Sequence, residues 1–263
     1  DQLGDFPMDW PHQVQAVAEV QDAFARGEWR VCLTSPTGMG KSRIVCRLIH
    51  EWASEGHTVV LYSNRKMLTE QLSGVLNHHG IPHGIRAAGH LPDHEYPVQI
   101  ASIQTLASRV LKRKTMEIHH ATRIVIDEAH LHNNPTARAL IDQHAAEEAK
   151  MLGITATPLG LADQYDVLIE AGRVSDGRAC GALIPCRHFA PDEPSMKAIK
   201  TPPGEDLSER QCEQAIMRSG IIGRVVDHFQ RINPDHKPSI LFGPSVKGSL
   251  YFAEEFTKAG IRA

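Results

Sequence analysis

The sequence predicts an α/β protein with a mostly parallel sheet, and three observations support this. Short apolar runs rich in valine, isoleucine and leucine recur through the first 155 residues. Longer helical stretches separate these runs, and a loop with two glycines joins the first run to a helix. Strands that alternate with helices form crossover units whose sheet is covered on both faces. Sheets of this kind bind ligands beyond the carboxyl ends of their strands.

Because the apolar runs are too short for helices, we predict strands at residues 31–33, 59–62, 98–101, 123–126 and 152–155. Helices are predicted between and after them, at residues 42–53, 67–78, 104–112 and 137–149.

Beyond residue 190 a proline-rich, charged stretch predicts a linker. A helix at 220–231, a strand at 239–242 and a helix at 247–259 then predict the beginning of a second domain. We expect a first domain over 1–185, a linker over 186–218 and an incomplete second domain over 219–263, since the sequence stops where another strand is expected.

The composition narrows the function classes. With 28 basic and 31 acidic residues the formal net charge is −3, which argues against a general basic coat but permits a local basic channel. Five cysteines without a CxxC pair predict reduced thiols and a cytoplasmic location. No apolar run approaches the roughly 18 residues of a membrane span, so no membrane partner is expected.

The loop "SPTGMGKS", residues 35–42, has the composition of a phosphate cradle. Glycines let consecutive backbone N–H groups face an anion, and the following helix N-terminus adds partial positive charge. Lys41 is predicted to reach the β- and γ-phosphates and the Ser42 hydroxyl to bind Mg²⁺. The alternative is an ordinary glycine-rich turn. The predicted nucleotide-binding residues of the loop are Pro36, Thr37, Gly38, Met39, Gly40, Lys41 and Ser42.

The stretch "RIVIDEAH" places two carboxylates, Asp127 and Glu128, at the end of an apolar strand. Buried carboxylates are unfavourable unless they are paired or bound to metal. We predict that Asp127 binds Mg²⁺ and that Glu128 orients and deprotonates an attacking water, as phosphoryl transfer requires. A chance acidic turn is the alternative.

In this order the motifs resemble those of superfamily-two helicases, the DEAD/DEAH-box proteins and type III restriction subunits. The resemblance implies a RecA-like P-loop NTPase domain, followed by the start of a second RecA-like domain. In this family the segment similar to "PHQVQAV", residues 11–17, carries a glutamine that reads adenine, which implies this role for Gln13. Family members often have arginine where this chain has Trp10. Alternatively, Gln13 is a residue of the helix start.

Three further segments resemble family segments that contact the nucleic-acid backbone. They are "LYSNRKMLTEQ" (61–71), "ASIQTL" (101–106) and "SILFGPSVKGSLYFAEEF" (239–256). Short polar side chains at these places also cap helices, and both roles stay open for them. Arg65 could instead be a solvated surface residue. The implied nucleic-acid contacts are Ser63, Arg65, Ser102, Gln104, Thr105 and Ser245.

The segment "GITATPLG", residues 153–160, resembles the family segment that couples nucleotide state to movement. Thr155 and Thr157 are implied partners of the Asp-Glu-Ala-His loop, in which His130 has the same coupling role. A plain strand end before Pro158 is the alternative. The neighbouring His132 is expected at the surface rather than in a zinc site.

The resemblance implies an ATP- and Mg²⁺-dependent helicase or translocase that moves on DNA, single-stranded or with a single-stranded tail, and less probably on RNA. The family's arginine from the second domain falls beyond Ala263, so we expect slow turnover from these residues alone. Two alternatives remain: a module that binds ATP and nucleic acid with little turnover, and a small P-loop kinase.

Overall fold

A computed structural model describes residues 10–63, 66–90, 93–132, 134–145, 149–186, 208, 210–211, 221–243 and 245–263. The chain divides into two compact units, residues 1–185 and 186–263, and each is described by itself.

The described part of the first unit is built on a seven-stranded sheet in which every pair of neighbours is parallel. The order across the sheet is β3-β4-β2-β5-β6-β1-β7. The predicted α/β class with a parallel sheet is therefore confirmed. The strands are β1 Arg30–Thr34, β2 Val59–Ser63, β3 Gly84–Arg86, β4 Val98–Ser102, β5 Arg123–Ile126, β6 Lys150–Thr155 and β7 Val167–Glu170.

All five predicted strands are present, because each is a central strand whose side chains are buried on both faces. The sequence analysis missed β3 and β7, which form the two edges of the sheet. β3 has only three residues, and β7 contains an apolar run at residues 167–169 that is half exposed and to which the sequence analysis assigned no strand.

The helices of the first unit cover both faces of the sheet. Their bounds are α1 Pro11–Ala25, α2 Lys41–Ser54, α3 Lys66–His78, α4 Ile103–Leu106, α5 Pro135–Ala145 and α6 Val174–Ala179. The predicted helix at 104–112 is helical but changes geometry, since α4 continues as a π-helix over Ala107–Lys112. The helix predicted to reach residue 149 ends at Ala145, and β6 begins at Lys150.

Alternate residues of the central strands point to opposite faces and build two apolar clusters. On β1, Val31 and Leu33 belong to a cluster that also contains Val20 of α1 and Leu48 of α2. On β2, Val60 and Tyr62 belong to the other cluster, which contains α4 and α5 residues. This two-sided burial fixes the strand ends, and with them the loops that carry the predicted site.

In the second unit, the described residues form two helices, α7 Ile221–Ile232 and α8 Val246–Lys258, packed through Val226, Phe229 and Phe256. The strand predicted at 239–242 is wrong. These residues are irregular, and Ile240 and Phe242 are 83% and 91% exposed. A β-strand needs a neighbour for its backbone hydrogen bonds, and the described residues of this unit contain no other strand. None of the described helices is both long and apolar enough to cross a membrane.

Candidate functional site

The candidate site forms where three adjacent strands end. In the sheet order β5, β6 and β1 are neighbours and parallel. The segments that follow Ile126, Thr155 and Thr34 therefore lie together at the carboxyl ends of these strands. Two backbone hydrogen bonds hold these ends in place: Ser35 N donates to Thr155 O at 3.2 Å, and Asp127 N donates to Tyr62 O at 3.0 Å. The predicted phosphate loop, carboxylates and coupling threonines therefore lie at the same end of the sheet, where the strands have their carboxyl ends.

The loop between β1 and α2 has the backbone form that a phosphate cradle requires. Gly38 and Gly40 have φ of +88° and +78°, a left-handed conformation that favours glycine. Gly40 caps α2 in this conformation, so the helix N-terminus opens directly onto the loop. Thr37, Gly38 and Ser42 are exposed, and Pro36 is partly exposed. The loop thus presents backbone N–H groups and a hydroxyl to solvent.

Lys41 begins α2 and folds back over the loop. Its Nζ donates to Ser35 O at 3.0 Å and to Pro36 O at 3.4 Å. Burial lowers the pKa of Lys41, and the carboxylates of Glu128 and Asp127 oppose this shift. The ammonium therefore lies within the electrostatic field of both carboxylates, from which it can turn to an anion in the loop.

Asp127 and Glu128 follow β5 and stay close to each other. Burial, and next the neighbouring Glu128 carboxylate, raise the pKa of Asp127, while a backbone hydrogen bond and the Lys41 ammonium oppose this shift. Glu128 has φ of +49°, rare for a residue with a side chain. Such conformations persist where the surrounding structure enforces them, often at functional sites.

A hydrogen-bond chain links the Asp-Glu-Ala-His loop to the end of β6. His130 Nδ1 lies 2.8 Å from the Thr155 hydroxyl and 3.5 Å from Glu128 Oε2. The Thr155 hydroxyl also lies 3.2 Å from Thr157 O and accepts from Thr157 N at 3.0 Å. The predicted contact between the two segments is therefore present at Thr155, through His130, which lies near the Glu128 carboxylate. Thr157 contacts Thr155 rather than the Asp-Glu-Ala-His loop.

These residues fit a magnesium–nucleotide pair. Two neighbouring carboxylates, of which burial and the adjacent charge raise the pKa of Asp127, are the oxygen ligands that a hard cation prefers. The exposed Ser42 hydroxyl follows the cradle directly. Within the described part of the chain no group of three or more acidic, histidine or cysteine side chains could hold a metal by itself. This suits a cation that shares its ligands with phosphate oxygens.

Residues 8–160, more than half of the chain, match the family of the type III restriction enzyme res subunit. The chain belongs to this family. It is thereby a superfamily-two helicase-like ATPase domain, as the order of its motifs predicted.

The res-subunit domain also has individual relatives. A "51.5 kDa protein" of Lactococcus phage (isolate 7-9) is 25% identical over 236 residues, which cover 88% of this chain and 47% of that protein. The chain thus spans about half the length of this relative. Among solved structures, the UvsW helicase of bacteriophage T4 is 16% identical with a TM-score of 0.50, over 62% of this chain and 60% of that one. The Hef helicase domain of Pyrococcus furiosus is 19% identical with a TM-score of 0.48, over 61% and 37%. The UvsW likeness shows a RecA-like fold.

In this res-subunit domain Gln13 lies beneath the phosphate loop rather than in the open. It is 0% exposed, and its Nε2 donates to Met39 O at 3.4 Å. Among the described residues no donor reaches its Oε1. A side chain at Gly40 would overlap the Gln13 amide. Adenine pairing stays a prediction, and it requires this amide to turn outward.

The sequence analysis missed two histidines of the site. His12 Nε2 lies 3.0 Å from Met39 O, and His132 Nε2 lies 3.1 Å from Asp127 O. His132 is 3% exposed, so its expected surface position is wrong. Burial lowers the pKa of His132, which favours the neutral ring that holds the Asp127 backbone. Nothing in the local sequence distinguishes these histidines from surface ones, since both contacts depend on the folded loops.

The implied nucleic-acid contacts lie at the ends of β2 and β4, beside the nucleotide loops. Gln104 is exposed, whereas Ser63 is 0% exposed and its Oγ lies 3.2 Å from Thr69 Oγ1. The Ser102 hydroxyl caps α4 by accepting from Thr105 N, and Thr105 Oγ1 accepts from Ala88 N at 3.3 Å. Ser63 therefore faces the interior, and Ser102 has the capping role.

Two implied contacts lie elsewhere. Arg65 lies outside the described residues. Ser245 belongs to the second unit, where its hydroxyl caps α8 by accepting from Gly248 N at 3.0 Å. The capping alternative is therefore the one present at Ser245.

Proposed function

We propose that this chain binds Mg·ATP at the edge formed by β1, β5 and β6, hydrolyses it, and uses the hydrolysis to move on or unwind nucleic acid. One observation carries the proposal. A left-handed glycine loop with Lys41 lies in the electrostatic field of Asp127 and Glu128, and these connect through His130 to Thr155. Family membership supports the same class of activity.

In this proposal the loop holds the nucleotide. Backbone N–H groups from Thr37 to Gly40 surround the phosphates, and Lys41 moves from the Ser35 and Pro36 carbonyls to the β- and γ-phosphates. Ser42 and Asp127 would hold Mg²⁺, and the ion would neutralise charge on the phosphate oxygens during transfer. Gln13, Pro36 and Met39 complete the nucleotide site.

Glu128 is the proposed water-orienting base. Its left-handed backbone carries the carboxylate past the end of β5, and His130 lies 3.5 Å from one carboxylate oxygen. A base positioned in this way takes the proton of a water that attacks the γ-phosphorus in line with the leaving oxygen of ADP. His130, Thr155 and Thr157 then transmit the state of this carboxylate to the neighbouring loops.

The proposed partner is DNA, single-stranded or a duplex with a single-stranded tail, with RNA as the less favoured track. The ends of β2 and β4 lie beside the nucleotide loops at the same end of the sheet, and the exposed Gln104 follows β4 within α4. Arg65 follows β2 in sequence and supplies the positive charge. We further propose that the second unit contains the start of a second RecA-like domain, and that the protein works in the cytoplasm.

Lys41→Ala tests the nucleotide site, with Lys258→Ala as control. Lys258 lies on α8 of the second unit in an ion pair with Glu255, outside the predicted nucleotide-binding residues. Because Lys41 is expected to donate a charged hydrogen bond worth about 1.5–3 kcal/mol, its loss should raise the Kd for fluorescent ATP roughly 10- to 150-fold. Equal affinities for both variants, with circular dichroism unchanged, would contradict the nucleotide assignment.

Binding of labelled single-stranded DNA tests the track. The formal net charge is −3, so a local basic surface must supply any affinity. Backbone contacts release counterions, so affinity should fall steeply with salt and vary little with sequence. Arg65→Ala should weaken binding and reduce the salt slope by about one contact. An unchanged slope and affinity would remove Arg65 from the track.

A further inference from the structure

Met39 is the one side chain of residues 36–40 that is fully enclosed, at 0% exposure between the exposed Gly38 and the partly exposed Gly40. Its side chain fills a socket whose walls are His12 of α1 and three residues around α6. Gly172 precedes this helix, Gly177 lies within it and Leu183 follows it. A side-chain carbon at Gly172 would lie 3.1 Å from both Met39 Cε and His12 Cβ. A side-chain carbon added at Gly177 would overlap Met39 Sδ and lie 2.9 Å from Leu183 Cγ. The socket therefore has no spare room.

The backbone of the phosphate loop around Met39 is also held by hydrogen bonds, from α1 and from the segment before α6. From α1, His12 Nε2 lies 3.0 Å from Met39 O. From the segment before α6, Ala171 accepts from Ser35 Oγ at 3.0 Å and donates its N–H to Thr34 O at 2.8 Å. The phosphate loop is thus fixed by side-chain and backbone contacts with residues more than 130 positions later in the chain.

We propose that Met39 and Gly177 are a matched pair of positioning residues that set the shape of the phosphate loop. The inference rests on the proposed nucleotide binding and adds a second determinant of it. Neither residue needs to touch the nucleotide. Met39 transmits the position of α6 to the loop, and Gly177 admits Met39 because it has no side chain. Ser35 replaces the first glycine of the usual phosphate-loop pattern, and its hydroxyl contributes one of the contacts that fix the loop.

The consequence of a larger residue at position 177 follows from the enclosure. A methyl group there occupies the place of Met39 Sδ, and Gly172 and His12 block the opposite side. The Met39 side chain must then shift, and because Gly172 and His12 close the opposite side of the socket, we expect the shift to reach the Met39 backbone in the phosphate loop. Interiors pack too closely to absorb such a change without displacement. Nucleotide affinity should therefore fall even where the fold survives.

A size-swap experiment tests the pair. Gly177→Ala should raise the Kd for fluorescent ATP roughly 10-fold or more, as overpacking of a fixed site does. Adding Met39→Ala should recover at least about 3-fold of that affinity, a typical coupling for residues in contact. Gly74→Ala is the matched control, because Gly74 is also a helical glycine but has open space around it. It should leave the Kd unchanged.

Each outcome decides the inference separately from the proposed function. Nucleotide binding by folded Gly177→Ala equal to the original, or a double variant no tighter than Gly177→Ala, overturns the matched pair and leaves the proposed function standing. If the unsubstituted chain binds no ATP, both proposals fail together. Should Gly177→Ala not fold, Leu183→Ala removes the outer wall of the socket without adding atoms. Its Kd should rise several-fold, and an unchanged value overturns the inference.

Discussion

At the scale of single residues, Asp127 lowers the stability of the fold, and its proposed role is to bind Mg²⁺. Burial, followed by the Glu128 carboxylate, raises its pKa in the folded chain above the unfolded value. A carboxyl group shifted in this direction contributes stability that is fully present below the unfolded pKa. This contribution is lost as pH rises through the folded pKa. At neutral pH the ionised Asp127 therefore lowers the free energy of unfolding.

Asp127→Asn removes that charge and should raise the melting temperature by a few degrees at pH 7.5. The gain should be smaller at pH 5, because the original Asp127 is then closer to its neutral form. The same variant should lose Mg²⁺-dependent nucleotide binding, as functional residues often exchange stability for activity. Thermal melts at both pH values, with and without Mg·ATP, measure this. A variant less stable than the original at pH 7.5 would contradict the account of Asp127.

The conformation of the candidate phosphate loop could be predicted from sequence at this scale, and the reason is local. Gly38, Gly40, Lys41 and Ser42 lie within five positions, so one loop conformation fixes them all. The socket of Met39 could not be predicted, because Gly177 and Leu183 lie about 140 positions away. The inward-facing Ser63 was also missed, since a serine at a strand end has the same sequence signal whether it meets a phosphate or Thr69.

At the scale of elements, the site depends on the hydrogen bond that joins the ends of β5 and β6. The buried Thr155 hydroxyl is shared by His130, by the Thr157 carbonyl and by the Thr157 N–H. Valine has nearly the same shape but no hydroxyl, so Thr155→Val leaves these groups without their partner. Because His130 is half-buried and Thr157 is exposed, water can replace part of what is lost, and the expected cost is that of an ordinary hydrogen bond, about 0.5–1.5 kcal/mol.

Thr155→Val should therefore lower the free energy of unfolding by about 0.5–1.5 kcal/mol and slow ATP hydrolysis more than it weakens ATP binding. Thr155→Ser keeps the hydroxyl and serves as control, and it should keep the ratio of turnover to binding. Denaturant melts and single-turnover hydrolysis give the two quantities. If valine and serine variants hydrolyse ATP equally well, the hydrogen bond does not couple the two loops.

Helices and strands were predicted well where the sequence has a clear apolar pattern. They were predicted poorly where a neighbouring strand determines whether a segment forms a strand. The five central strands are continuous apolar runs because both faces are buried. Edge strands β3 and β7 pair with a neighbour on one side only. β3 has three residues and gives no clear signal, whereas the apolar residues 167–169 of β7 were overlooked. The strand predicted at 239–242 shows the opposite error. An apolar run forms a strand only where a neighbouring strand completes its hydrogen bonds.

At the scale of the whole molecule, the described chain has one well-filled unit and one with exposed apolar surface. Next to α7 and α8 lies an open cavity of about 1010 Å³, lined by residues that include Leu241, Phe252 and Phe256. Ile240 and Phe242 are 83% and 91% exposed beside it. Contiguous exposed apolar surface promotes association and binds apolar dyes.

Replacing both residues, Ile240→Ser with Phe242→Ser, should reduce fluorescence of a bound apolar dye and suppress concentration-dependent association, while ATP affinity stays unchanged. Leu168→Ser provides the control, since Leu168 is an exposed apolar residue on edge strand β7. It should alter dye binding much less. Sedimentation and dye titration measure both effects, and equal changes in the two variants would refute a special role for residues 239–242.

The most direct measurement of the central claim is Mg²⁺-dependent phosphate release from ATP, compared between the original chain and Glu128→Gln. Glutamine keeps the size of the side chain but cannot take a proton from water. The account predicts that ATP affinity changes little and that turnover falls about 10²-fold or more, the contribution of a positioned general base. Phosphate release that continues at the original rate in the folded variant would contradict the account.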